Sequence, residues 1–238
     1  GRARGPPSCH VERWNGARLT GVLSWAMVPE PRLRATTMDA SDRFQDRLLR
    51  YSQEPDIDRR QAIEDELWRE YGDERAVLVF DMSGFSELTY RYGIVHFLSM
   101  VRRMQLTTEP IVRRYSGTLV KFEADNCYAM FPDAIAAISA AREINAAFEV
   151  ANEATPDELD IRIACGVDHG RILVVSGRDF FGNAVNRACK LGEDLAGPGE
   201  VLITGEAMAA LPEGHGIVAT ALNFEISGIR IEAFLLKT

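Results

Sequence analysis

The pattern of apolar and polar positions changes character near residue 72. From Asp39 to Tyr71 the chain is charged, Phe44, Leu48, Leu49 and Tyr51 recur at helical spacing, and Glu54-Pro55 interrupts them. That spacing predicts two short amphipathic helices. Gly72 and Asp73 supply turn chemistry. AVLVFDM, residues 76–82, is an apolar run that closes on an acid and meets Ser83-Gly84, as a buried strand entering a turn does. Ile94, Phe97, Leu98, Val101 and Met104 make a helix stripe, which Pro110 is expected to kink or end. TLVKFEADNCYAMF, residues 118–131, alternates on each side of Ala124-Asp125-Asn126 and predicts a hairpin. Residues 133–151 are Ala-rich and helical, with Ile135, Ile138, Ile144 and Phe148 on one stripe. IRIACGVDHGRILVV, residues 161–175, predicts a second hairpin turning near Asp168-His169-Gly170. A helix over 183–196, the strand VLIT at 201–204, a short helix near 205–211 and a strand pair around 217–236 complete the order. This succession predicts an α+β fold, a mostly antiparallel sheet with helices covering one face.

Residues 1–38 mix Gly, Pro and Arg with isolated hydrophobics and hold no sustained period of 2 or 3.6, which predicts disorder. The apolar piece from Leu19 to Val28 is interrupted by Thr20, Gly21, Ser24 and Trp25 and lacks a small-x-small cleavage site, so it is not read as a signal peptide. The chain divides into 1–38, a helical extension at 39–73 and a domain at 74–238.

Composition narrows the classes. With 238 residues, 46% of them hydrophobic, the chain can bury a real core. Its 27 Lys and Arg against 35 Asp and Glu leave a net charge of −8, which argues against sequence-independent binding to nucleic acid or anionic lipid. No apolar run reaches the roughly 18 residues that a membrane span needs. Cys9, Cys127, Cys165 and Cys189 are scattered, with no C-x-x-C pair, so neither a zinc site nor a disulfide framework is indicated and a reducing, cytoplasmic compartment is expected.

Asp81 ends an apolar strand, where a charge is costly unless paired or bound to a cation. The Ser83-Gly84 turn after it directs backbone N–H groups toward an anion at the next helix's start. Asp125 sits at the tip of the first hairpin, and if that hairpin lies beside the first strand the two carboxylates converge. Mg²⁺ takes oxygen ligands, commonly one or two carboxylates plus substrate phosphates, so such a pair suffices. Each residue alone also has a plain structural reading. Strand-end acids and Ala-Asp-Asn are good turn formers. Lys121 suits a solvated strand face, Asp179 a helix start and Asn186 a local hydrogen bond, and His169 needs no role beyond a turn.

Three segments taken together carry more. FDMSGFS at 80–86, LVKFEADNCYAMF at 119–131 and DFFGNAVNRACKL at 179–191 occur in that order. Over roughly residues 74 to 237 the chain resembles the class III nucleotidyl cyclases, the adenylate and guanylate cyclase catalytic domain. The resemblance implies that family's fold, a ferredoxin-like or palm-type, mostly antiparallel sheet with helices packed on it. It implies two Mg²⁺ or Mn²⁺ ions per site, with Asp81 and Asp125 as metal ligands and the Met82 carbonyl assisting. Ser83, Gly84, Phe85 and Ser86 would present amides to the triphosphate. Lys121, which matches the K of K-x-x-G-D, and Asp179, which opens D-x-x-G-x-x-V-N-x-A-x-R-L, would read the base. Asn186 would position the ribose and transition state, and Lys190 occupies the family's arginine position. The resemblance also implies a head-to-tail homodimer with two composite sites, one subunit bringing Asp81 and Asp125 and the other Lys121, Asp179, Asn186 and Lys190.

Two departures stand out. The hairpin glycine is Ala124, with Glu123 before it placing an extra carboxylate near the metals. Lys190 keeps the arginine's charge and loses its planar fork. A carboxylate accepts from the exocyclic amine of adenine and an ammonium donates to a ring nitrogen, whereas guanine reverses this pattern, so Lys121 and Asp179 favour ATP. The expected reaction is conversion of ATP to 3′,5′-cyclic AMP and pyrophosphate by a cytoplasmic adenylate cyclase. The alternative is a catalytically degenerate cyclase-homology domain that binds nucleotide or dimerises. The hairpin sequence E-A-D-N lacks the G-G-D-E-F type expected of a cyclic-dinucleotide synthase.

Overall fold

The computed structural model describes residues 39–226 and 229–237, and the disorder expected of 1–38 lies outside them. Asp39 accepts from the Asp42 amide while the Asp42 side chain returns the bond, a capping box that starts α1 (Ala40–Gln53). Asp56 caps α2 (Ile57–Tyr71) by accepting from the amides of Asp58 and Arg59. The two helices pack on each other through Phe44, Ile63, Leu67 and Tyr71, with the break falling at Pro55 as its restricted backbone requires.

There follow β1 (Gly72–Met82), α3 (Phe85–Tyr92), α4 (Ile94–Arg114), β2 (Thr118–Glu123), β3 (Asn126–Phe131) and α5 (Ala134–Asn152). Then come β4 (Ile163–Val175), β5 (Asp179–Phe181), α6 (Asn183–Cys189), a π-helical turn over Lys190–Leu195, β6 (Val201–Thr204), α7 (Gly205–Ala209), β7 (Ala219–Ile226) and β8 (Ile229–Leu236). The strands form one sheet in the order β2-β3-β1-β4-β6-β8-β7, with β5 paired to β4. Every pairing is antiparallel except that of β4 with β6.

Helices lie on both faces of this sheet, where a one-sided arrangement was expected. Ala76, Leu78, Phe80 and Met82 of β1 pack with Met104 of α4 and Ile138 and Ile144 of α5, while Val77 and Val79 between them pack with Ala184, Val185 and Ala188 of α6. A strand covered on both sides reads as an unbroken apolar run, which is how residues 76–80 read. Two glycines let α6 approach so closely. A Cβ on Gly166 of β4 would lie 2.1 Å from the Ala188 carbonyl oxygen, and one on Gly192 of the π turn 2.6 Å from the Val79 carbonyl oxygen.

The second expected hairpin does not exist. Residues 163–175 form one strand of 13 residues, paired with β1 from Gly72↔Leu173 to Met82↔Ile163. Asp168 has no exposed surface and accepts from Arg187 Nε at 2.6 Å, Thr204 Oγ1 at 2.5 Å and the His169 amide at 2.7 Å. These partners satisfy the carboxylate inside the sheet, where the turn chemistry of Asp-His-Gly has no outlet. The turn comes after the strand, at Ser176 and Gly177, both with positive φ. Nor does Pro110 end its helix, which continues to Arg114 because Ile111 and Val112 beyond the proline are buried. Of the stripe expected on α4, Phe97, Val101 and Met104 are buried, whereas Ile94 and Leu98 face outward.

Cys127 and Cys165 are buried free thiols, and burial raises the pKa of both. Among the described residues no helix is long and apolar enough to cross a membrane.

Candidate active site

The end of β1 and the β2–β3 turn meet at one cavity of about 550 Å³, lined by Asp81, Met82, Gly84, Phe85, Ser86, Glu87, Asp125, Asn126 and Glu193. Pairing of β1 with β3 brings the hairpin tip beside the strand end, as expected. The Asp81 and Asp125 carboxyl groups line the same cavity close enough to interact electrostatically, and Asp125 is 7% exposed. Burial, then the facing Asp125 carboxylate, then Glu193 push Asp81 up to about 7, against a weaker opposing bond from the Met82 amide. Among the described residues no Lys, Arg or His forms an ion pair with either acid. Two facing, uncompensated carboxylates are an acceptor-only set, which fits a hard divalent cation with oxygen ligands. The described residues hold no cluster of three or more His, Cys, Asp or Glu side chains able to grip a metal, so main-chain oxygen, water and phosphate would complete the coordination.

Ala124 sits in the turn with φ 53, in the left-handed region that a glycine adopts without strain. The turn thus keeps its shape and carries the methyl group. Ala124→Gly is expected to raise stability by about 0.5–1 kcal/mol, the relief of left-handed strain less the unfolded-state freedom of glycine. Urea denaturation measures it, and a fall in midpoint would contradict the strain.

Ser83 departs from expectation. Its amide donates to the Arg162 carbonyl at 2.8 Å, and the residue does not line the cavity. An N–H used to close the strand end is not available to a phosphate, so the amides of Gly84, Phe85 and Ser86 are what remains. Gly84 has φ 78, and α3 begins there without a side-chain cap, leaving its first amides without a capping acceptor. Glu123 also departs. It pairs with Lys121 at 3.4 Å and lies outside the lining of the Asp81 cavity, where Glu193 stands instead.

A second cavity, about 350 Å³, is lined by Lys121, Tyr128, Asp179, Phe180, Phe181, Gly182, Val185 and Asn186. Lys121 Nζ lies 3.4 Å from Asp179 Oδ1 and 5.2 Å from the centre of the Tyr128 ring. Desolvation lowers its pKa, but the Asp179 and Glu123 carboxylates outweigh it, so the ammonium is held above its ordinary value. A register shift between Leu119 and Lys121 accompanies this placement, as bulges re-aim side chains. Asn186 is exposed on α6 and its carboxamide makes no hydrogen bond among the described residues. Lys190 opens the π turn one helical turn later, exposed and paired with Asp194.

Reasoning from sequence missed Glu193, Tyr128 and the Asp168–Arg187 pair. The Tyr128 hydroxyl donates to Glu193 Oε1 at 3.2 Å while its ring lines the second cavity, so this side chain spans the wall between the two. Arg187, held by Asp168 and by Glu206 at 3.3 Å, fixes the helix that carries Asn186. Only the alternation of NCYAMF marked Tyr128 as a strand residue, and nothing local marked Glu193.

No protein-family model matches the chain, and no curated protein matches it by sequence. Solved structures do. An adenylate/guanylate cyclase/hydrolase from Silicibacter pomeroyi is 27% identical, with TM-score 0.58 over 69% of this chain and 96% of that one. The adenylyl cyclase CyaB from P. aeruginosa is 21% identical, with TM-score 0.59 over 70% and 96%. The guanylate cyclase domain of RhGC from Catenaria anguillulae, solved with GTP, is 17% identical, with TM-score 0.59 over 70% and 97%. The chain therefore has the fold of the class III adenylate and guanylate cyclase catalytic domains, the family that its three segments resemble.

Proposed function

We propose that this chain is an adenylate cyclase that works as a homodimer, joining the ribose 3′ oxygen of ATP to the α-phosphorus and releasing pyrophosphate. The observation that carries this reading is the division of the chemistry. The acid pair and the Lys121–Asp179 pair occupy separate cavities with no lining residue in common. In the head-to-tail pairing that the resemblance implies, one copy brings the acid pair and the other the Lys121–Asp179 pair, and since one chain carries both halves, self-pairing yields two complete sites.

Asp81, Asp125 and the Met82 carbonyl would hold two Mg²⁺ or Mn²⁺ ions, which when bound supply Lewis-acid activation of the 3′ hydroxyl and neutralise phosphate charge. Gly84, Phe85 and Ser86 at the start of α3 line the same cavity, and amides there suit the triphosphate. From the second copy, Asp179 accepts from the adenine amine and Lys121 donates to a ring nitrogen. Asn186 orients the ribose, and Lys190 presents a positive charge to the reacting phosphate. Catalysis on this reading is positioning and electrostatics.

The test is turnover by the full chain with Mg²⁺ or Mn²⁺, run separately with ATP and GTP against protein concentration. Cyclic AMP is expected, with specific activity rising as dimers form and ATP preferred by at least about tenfold, the cost of leaving Lys121 and Asp179 unpaired with guanine once a second copy covers them. No product from either nucleotide at any concentration would overturn the reading. A second reading, a nucleotide-binding module without turnover, draws on Ala124 and Lys190. A rise in thermal midpoint with ATP but no product would favour it. Lys190→Arg is expected to leave the rate equal or to raise it, up to about tenfold, because the fork meets phosphate in two bonds. A clear fall in steady-state rate would contradict the role given to Lys190.

A further inference from the structure

Asp179 rides on the smallest strand of the sheet. Strand β5 makes three pairings, Leu173↔Phe181, Val174↔Phe180 and Val175↔Asp179, all with β4. It is entered through a turn in which the Arg178 amide donates to the Val175 carbonyl at 3.0 Å. So short a strand on one neighbour fixes a carboxylate poorly unless something packs against it.

The helical pair α1–α2 does so. Phe181 lies on the same face of β5 as Asp179, two residues on. Its ring stacks on Phe44 of α1, with centroids 5.7 Å apart and an interplanar angle of 8°. Phe44 is 2% exposed and meets the Tyr71 ring edge-on at 5.0 Å, and the Tyr71 hydroxyl donates to the Ala40 carbonyl at 3.1 Å. Val175, the ladder partner of Asp179, is buried in the same cluster with Phe44, Ile63, Leu67 and Tyr71. The residue across from Asp179 is therefore buried against α1–α2, and the residue beside it on its own face, Phe181, is 41% exposed and is held on one side by the Phe44 ring. No residue of those helices lines either nucleotide cavity.

We propose that Phe44 is a positioning residue: through its stack on Phe181, the helical pair holds β5 so that Asp179 stands at the reach of Lys121 that base recognition needs. This deepens the adenylate cyclase reading and rests on it for the word recognition. The physical clamp stands or falls separately.

The experiment compares full-length wild type, Phe44→Ala, Phe44→Leu and, as a cavity of similar kind elsewhere, Ile144→Ala in α5. Amide hydrogen exchange of residues 176–182 without nucleotide is expected to speed up about tenfold in Phe44→Ala, with Phe44→Leu close to wild type and Ile144→Ala unchanged in that segment. In turnover, Phe44→Ala is expected to raise KM for ATP about five- to tenfold with kcat within about twofold, and to shrink the preference for ATP over GTP. Phe44→Leu restores most of both. Unaltered exchange over 176–182 in a folded Phe44→Ala, or equal exchange and discrimination changes in Ile144→Ala, would overturn the clamp whatever the turnover. Should Phe44→Ala not fold, Phe44→Val takes its place: faster exchange over 176–182 than in wild type, with a raised KM for ATP, supports the proposal, and exchange unchanged over that segment overturns it. Absence of product from wild type overturns the cyclase reading and the base-reading role with it, while exchange still reports on the clamp.

Discussion

Asp81→Asn is expected to lose about 10³-fold or more in turnover while raising the thermal midpoint of the metal-free protein, two effects of opposite sign from one atom change. The loss follows from removing a metal-holding carboxylate from a reaction that depends on charge neutralisation. The gain follows from the electrostatics of two facing carboxyl groups when chelator keeps the metal away. Burial and Asp125 raise Asp81 from 3.8 to about 7. Between those values the folded chain holds a proton that the unfolded chain has released, so its stability falls as pH rises across that window, and above about 7 the full penalty is present. Asn removes that penalty. At this half-buried group it amounts to about 1 kcal/mol after allowance for solvent screening, or about 2–4 °C in a domain of this size. The gain is therefore larger at pH 8 than at pH 5. Thermal unfolding with a chelator at both pH values measures it, and added Mg²⁺ is expected to raise the wild-type midpoint and leave the variant's unmoved. A variant that keeps a tenth of wild-type turnover, or that melts lower at pH 8, would refute the assignment of Asp81.

The second large effect is recovery by mixing. Asp81→Ala and Asn186→Ala are each expected to retain about 1% of wild-type activity or less alone, because each lesion falls in both sites of a homodimer. In a mixed dimer both lesions gather in one site and the other is intact. Random reassortment makes about half the dimers mixed, each with one good site, so an equal mixture recovers about a quarter of wild-type activity. Turnover of the two purified proteins before and after mixing measures this. A mixture no more active than its components would mean that one chain's own residues complete the site, and the two-copy arrangement would fail.

Much of this site was legible because its residues carry their chemistry in local context. Asp81 closes an apolar run and Asp125 tops an alternating hairpin, and β1 and β3 do bring them together. Lys121 and Asp179, far apart in sequence, do pair at 3.4 Å. What escaped was set by groups distant along the chain. Asp168-His169-Gly170 has every local mark of a turn, and only Arg187 and Thr204, contributed by other elements, keep it extended within β4. Gly166 and Gly192 look like ordinary loop-formers until the backbone of α6 is laid against the first and that of β1 against the second. Ser83 kept its place in the motif and lost its amide to Arg162. Phe44 belongs to a stripe that reads as a surface helix, and its partner Phe181 lies beyond four α-helices and four strands.

The position of β1 between β3 and β4 also governs how this chain must assemble. During synthesis β1, β2 and β3 leave the ribosome together and can pair at once, but the other edge of β1 stays open until residues 163–175 emerge. Through that interval Val77 and Val79 lack both their α6 cover and their neighbouring strand. Such non-local pairing slows folding and leaves a sticky nascent intermediate, which makes cooler, slower expression or a holdase chaperone the natural remedy for low soluble yield.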